Sequence, residues 1–209
     1  MSAAVFYPTK PPISKNGGNG GGGPSRGDDP YYKDHVMWIG LWLFLSAVIM
    51  LFAAFTSAVI IRRESGDWKS IYFPSFLLIN TVILILSSIT FEICKKKLKT
   101  FQKNGYRFWL GMTVFLGFMF LIGQIYAWNL MAHHGYFLPT NPHASFFYLL
   151  TCIHGVHLLG GIIWLVFLFL GTRQIRDVGS TLTSARLAST YWHFLTFLWV
   201  YLYFLLKWI

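Results

Sequence analysis

Three histidines stand in otherwise apolar sequence: His154 and His157, three residues apart, and His193 further on. Residues three apart share one helical face. Imidazole ligates haem iron and exchanges protons near neutral pH. Counted at 1.5 Å per residue along membrane-crossing helices, His157 and His193 come to similar depth. That spacing admits a haem held between two helices. It also admits a structural use, in which each ring hydrogen-bonds a neighbouring helix for about 0.6–2 kcal/mol. The structural reading fits better, because small residues that would seat a haem are only weakly evident beside these histidines.

A second trio, His133, His134 and His143, flanks the Asn141-Pro142 turn. It reads either as a surface metal site or as a wet loop, and the turn signal favours the loop. The two cysteines, Cys94 and Cys152, form no CxxC or CxxCH motif. That argues against a thiolate zinc site, a redox dithiol and a covalently attached haem, and leaves ordinary packing cysteines. Glu92 is the one carboxylate within an apolar run. With Lys95 and Lys96 beside it, it reads as part of an interfacial ion pair.

The elements that position these groups follow from the hydropathy pattern. The chain is 55% apolar and 11% charged, against about a quarter charged in soluble domains. Five apolar stretches run over approximately 36–61, 71–93, 108–131, 145–170 and 187–206. Each reaches the ~20 residues that carry a helix across a ~30 Å hydrocarbon core, and helices satisfy their own backbone in lipid. The expected fold is all-α, a five-helix transmembrane bundle occupying residues 35–209. Residues 1–34 contain Gly17-Gly18-Asn19-Gly20-Gly21-Gly22-Gly23-Pro24 and read as a disordered, Gly-rich tail.

The net charge of +10 is distributed between the apolar runs, so it indicates orientation and lipid headgroups, not nucleic acid. Thirteen Lys and Arg fall in the tail, the second loop (Lys95, Lys96, Lys97, Lys99, Lys103, Arg107) and the fourth (Arg173, Arg176, Arg186). Four fall on the other side: Arg62, Arg63, Lys69 and Lys207. The N-terminus is therefore expected in the cytoplasm and the C-terminus in the periplasm. Inside the runs, small and weakly polar residues form stripes: Ser46, Met50, Ala53 and Ser57; Asn80 and Ser87, with Thr81 and Ser88 alongside; Thr113, Gly117 and Gln124; Trp192, Thr196, Trp199 and Tyr203. Such stripes are expected where membrane helices touch. A transporter would need a broken helix at the midplane, and Pro74 lies near the end of its run.

The motifs, taken in order, resemble subunit III of the haem–copper oxidases, in the short five-helix bacterial form. Leu78-Ile79-Asn80-Thr81 followed by Ser87-Ser88 is similar to the family's L-x-N-T…S-S. Gly123-Gln124 with Ala127-Trp128 is similar to its GQ…AW. Ser145-Phe146-Phe147-Tyr148, Thr151 and His154-Gly155-Val156-His157 resemble SFF…T…HGxH. Tyr191-Trp192-His193-Phe194 and Trp199 resemble YWHF…W. The resemblance covers about residues 36–209.

The resemblance implies a non-catalytic accessory subunit of a respiratory terminal oxidase in the bacterial cytoplasmic membrane. Such a subunit packs against subunit I, belongs with subunit II and binds phospholipid. It holds no cofactor of its own, with haem and copper in the partner subunits. His154, His157, His193, Asn80, Gln124 and Trp192 then become buried polar and packing groups. Arg173-Gln174-Ile175-Arg176 resembles a run that meets lipid phosphates, a task that suits guanidinium; plain positive-inside charge is the alternative. Two departures remove ionisable groups. Ala47 follows Ser46 where many members carry Glu, and Thr196 stands where Asp is common. The same architecture accompanies some nitric oxide reductases, and a stand-alone haem-b carrier using His157 and His193 is a reading from another class.

Overall fold

A computed structural model describes residues 30–64, 75–100, 102–136, 142–172 and 178–208. They form five helices: α1 Pro30–Arg63, α2 Phe76–Lys99, α3 Lys103–His133, α4 Pro142–Gly171 and α5 Val178–Trp208. Pro30 and Pro142 open α1 and α4, where the missing N–H costs nothing and the fixed φ suits a first turn. The Gly-rich run 17–24 and the loop residues Arg173 and Arg176 lie outside the described residues.

Four helices are long and apolar enough to cross a membrane: Asp34–Arg63, Phe76–Lys99, Lys103–His133 and Pro142–Gly171. The chain is thus a multi-pass membrane protein. Its surface is inside out relative to a soluble fold: Leu78, Ile79 and Val82 on α2, and Phe108, Phe115 and Ile122 on α3, are exposed. The fifth helix is as long, at 31 residues, but mixes Ser, Thr, Tyr, Trp and His into its apolar sequence. The reason lies in its position. Trp192, Leu195, Trp199 and Leu202 are buried, so α5 faces protein along much of its length and has less need of a lipid-like surface.

The helices α2 and α3 form the closest pair. Asn80 Nδ2 donates to the Phe120 carbonyl at 3.2 Å, Ser87 Oγ to that of Thr113 at 3.1 Å and Cys94 Sγ to that of Tyr106 at 3.5 Å. The donors step by one heptad up α2, and the acceptors step by one heptad down α3. That is the register of two antiparallel helices crossing at a shallow angle. Where α2 ends and α3 begins, Gln102 N is bonded to Lys97 O at 3.1 Å and Lys97 Nζ to Gln102 Oε1 at 3.0 Å.

Elsewhere side-chain bonds join the helices without such a ladder. Trp128 Nε1 donates to Thr151 Oγ1 (α3–α4) at 3.0 Å, Tyr191 OH to His157 O (α5–α4) at 2.9 Å, and Trp199 Nε1 to Thr81 Oγ1 (α5–α2) at 3.0 Å. The first helix is tied to α5 near both ends, through Thr183 Oγ1 to Asp34 Oδ2 at 3.2 Å and through Thr56 with Tyr201 at 3.0 Å. These ties make α1 and α5 parallel, so the start of α1 and the end of α5 lie at opposite ends of the bundle.

One expected contact surface faces the other way. Ser46, Met50, Ala53 and Ser57 are exposed, as are Gly40, Ala47, Ala54 and Ala58. The bundle is met instead by Leu41, Leu45, Val48, Phe52 and Val59, spaced four and three apart. Larger side chains fill the space because α1 sits against the rings of His157 and Tyr191, with Phe52 6.1 Å from the first and Phe44 5.9 Å from the second.

Candidate functional site

Two polar constellations stand out against this apolar frame, one interior and one at the surface. The interior one draws on α2, α3, α4 and α5. His154 is fully buried. Its ring lies 5.1 Å from that of Trp199 and 6.2 Å from that of Phe120, and Phe120 meets Trp199 edge-on at 4.9 Å. The Asn80 carboxamide rests on Gly123, where an added Cβ would come within 2.4 Å of Asn80 Oδ1. Only glycine fits there, which accounts for the Gly of Gly123-Gln124.

Gln124 follows Gly123 and is buried. The Trp128–Thr151 bond sets α3 against α4, and one turn along it brings Gln124 level with His154. Both ring nitrogens of His154, both amide atoms of Gln124 and Asn80 Oδ1 have no protein partner among the described residues. Buried polar groups without partners cost about 1–3 kcal/mol each.

Trp192 seals the other end of this interior. A Cβ at Gly117 would lie 3.0 Å from its ring, and one at Gly161 would lie 3.2 Å away. The indole is wedged between a glycine of α3 and a glycine of α4. This is size complementarity at a helix crossing, where small residues let backbones approach.

The surface constellation lies between α2 and α5. His193 Nδ1 pairs with Ser88 Oγ, and His193 Nε2 reaches Glu92 Oε2 at 3.3 Å. Lys95 Nζ meets the same Glu92 oxygen at 2.7 Å. The ion pair read from the sequence is present, with Lys95 as the cation, but its third member was not foreseen. A histidine placed by depth alone carries no sign of which neighbour it faces.

His193 departs from the expected burial. Its side chain is 40% accessible and that of Glu92 45%, because α5 turns it toward the outer groove beside α2. Asn80, Gln124, His154 and Trp192 are buried, and His157 is half-buried.

The geometry also separates His157 from His193. Tyr191, not His193, meets His157. Two residues along a helix turn the side chain by about 200°, so the two imidazoles sit on opposite sides of α5. His157 Nδ1 bonds Ile153 O at 2.8 Å within its own helix. His157 and His193 therefore do not form a facing pair. Among the described residues, no group of three His, Cys, Asp or Glu side chains converges as a metal site requires, and this includes His133, His134 and His143.

The arrangement of the described residues offers packing, polar adhesion and one charged surface cluster. Known proteins agree in kind. The model of the family described as cytochrome c oxidase subunit III matches residues 26–209. The cytochrome c oxidase subunit 3 of Bacillus sp. (strain PS3) is 30% identical over 175 residues, covering 79% of this chain and 82% of the relative. That of Bacillus subtilis (strain 168) is 31% identical over 176 residues, covering 79% and 83%. That of Corynebacterium diphtheriae is 28% identical over 179 residues, covering 82% and 87%. The helices, the glycines that seat Trp192 and Asn80, and the ordered motifs all lie within the matched span, and the chain belongs to the cytochrome c oxidase subunit III family.

Proposed function

We propose that this chain is the non-catalytic accessory subunit III of a respiratory haem–copper oxidase, packed against subunit I in the bacterial cytoplasmic membrane. The observation that carries the reading is the family match over residues 26–209, which takes in every described helix. The bonds between its helices support it, because Asn80, Ser87, Trp128 and Trp199 each tie one helix to another. Haem and copper belong to the partner subunits, and this chain supplies shape and adhesion. The test is affinity purification from native membranes with a redox spectrum of the product. A haem-bearing subunit is expected with the chain. Its isolation as a stable monomer with its own turnover would refute the assignment.

In this reading α5 is the fifth crossing, with the N-terminus cytoplasmic and the C-terminus periplasmic. The ties from α1 to α5 support the crossing: Asp34–Thr183 and Thr56–Tyr201 lie 22 residues apart on α1, about 33 Å of helix. A helix tied at both points covers the thickness that α1 covers. The Lys and Arg asymmetry supports the orientation. Cysteine accessibility at each terminus in intact and opened spheroplasts checks both.

Arg173 and Arg176 are proposed to bind the phosphate of an anionic phospholipid at the inner leaflet. Replacing both with Ala should lower the anionic lipid retained by the purified complex. Unchanged lipid content by mass spectrometry would leave the pair with positive-inside charge alone. A stand-alone haem-b carrier is disfavoured by the opposed His157 and His193. A Soret band in the purified chain that vanishes in His193→Ala would reinstate it.

A further inference from the structure

We propose that the Ser88–His193–Glu92 cluster between α2 and α5 is the intramembrane docking point for a transmembrane helix of a neighbouring oxidase subunit. That helix would offer a hydrogen-bond donor or cationic side chain to Glu92. The inference rests on the subunit III reading and deepens it by naming the contact face.

Depth is the first argument. Lys95, Lys96, Lys97 and Lys99 mark the headgroup level. Ser88 lies seven residues below Lys95, about 10 Å along the helix. His193 bridges Ser88 and Glu92, so the imidazole sits below the headgroups, at the level of the acyl chains.

Exposure is the second argument. Glu92 and His193 are each about two-fifths accessible, although flanking side chains on the same helices, Ile85, Ile89 and Phe197, are exposed apolar groups suited to lipid. Ionisable side chains in membrane segments face protein or water-filled space, not lipid tails.

The third argument is the unused valence. Lys95 and His193 both bond Glu92 Oε2. Among the described residues no donor meets Oε1. Glu92 lies three residues, about 4.5 Å, below Lys95, and its open oxygen can take a donor that an acyl chain lacks and a partner helix with Arg, Lys, Tyr or Trp supplies. Interhelical bonds of this kind hold membrane helices together.

The experiment uses the intact oxidase. Wild type, Glu92→Leu, Glu92→Gln and, as a lipid-facing control, Ile122→Leu are compared for retention of this chain on the haem-bearing subunit in rising detergent. Leucine is the discriminating choice. On a lipid-facing surface it should be neutral or favourable, and at a docking point it should weaken retention. We expect about tenfold loss or more for Glu92→Leu, as for a hydrogen bond to a charged group, a smaller loss for Glu92→Gln and none for Ile122→Leu.

A photo-crosslinker at Ile89 in wild-type background should capture another oxidase subunit. Undiminished retention of Glu92→Leu, or crosslinks to lipid alone, overturns the docking point. Absence of the haem-bearing subunit from the wild-type preparation overturns the subunit III reading instead. To separate docking from folding, the Glu92→Leu chain is checked by circular dichroism in the same detergent. A native helix signal with lost retention supports docking, and a lost helix signal refutes it as the cause.

Discussion

The hairpin α2–α3 and the helix α1 are both apolar and both long enough to cross a bilayer, yet they are held in opposite ways. The hairpin is bonded along its length. Asn80, Ser87 and Cys94 reach a carbonyl of α3 every seven residues, and Gly123 lets Asn80 close against its neighbour. Its outer faces carry Leu, Ile, Val and Phe.

The helix α1 has side-chain bonds to α5 near its ends, Leu, Val and Phe inward, and its Gly, Ser and Ala outward among exposed Trp42, Leu43, Ile49 and Met50. The small residues of the hairpin are spent inside the chain, whereas those of α1 face out of it. Small size therefore marks the possibility of close approach, and what does the approaching is decided by the partner.

That contrast sets the size of mutational effects. Gly123→Leu should be the most damaging, because its Cβ would meet the Asn80 carboxamide at 2.4 Å inside the tightest interface. A loss at or above the upper end of about 1–3 kcal/mol is expected, read as a drop in SDS resistance of the complex in bilayers. Gly161→Ala tests a looser crossing, with Trp192 at 3.2 Å. The indole should shift at a cost of about 1 kcal/mol, with a changed tryptophan emission spectrum as the second readout.

Ser87→Ala removes one rung of the α2–α3 ladder and should cost about 0.6 kcal/mol, the mean for a side-chain bond between membrane helices. Ala54→Leu on the open side of α1 should change bundle stability by no more than about 0.5 kcal/mol. If Ala54→Leu proved as costly as Gly123→Leu, the outer side of α1 would be a packed surface and the contrast would fail.

Much of this was legible in the residues, for identifiable reasons. Four spans were visible because lipid demands an unbroken apolar run; the fifth stretch, expected over about 187–206, is a helix in which Tyr191, Trp192, His193 and Trp199 dilute the hydropathy where it faces protein. The burial of Asn80, Gln124 and His154 was readable because polar groups in such runs face inward. Facing partners were not readable. The heptad carbonyl ladder depends on the rotation of α3, and the Glu92–His193 contact on the rotation of α5; neither rotation is written in either segment alone. The α1 stripe is left uncovered by this chain for the same reason, since periodicity defines a face without saying whether the chain itself covers it.

The bonding pattern also orders the assembly of the subunit as it leaves the ribosome. The ladder of α2–α3 joins residues 12 to 40 apart in the chain, so the hairpin has its partners as soon as α3 is synthesised. The side-chain ties of α1 to α5 span 149 and 145 residues. Of these five helices α1 must wait in the bilayer for α4, whose His157 meets Phe52, and then for α5. Throughout that interval its inward row of Leu41, Leu45, Val48 and Phe52 is available to lipid or to any insertion factor that shields nascent spans.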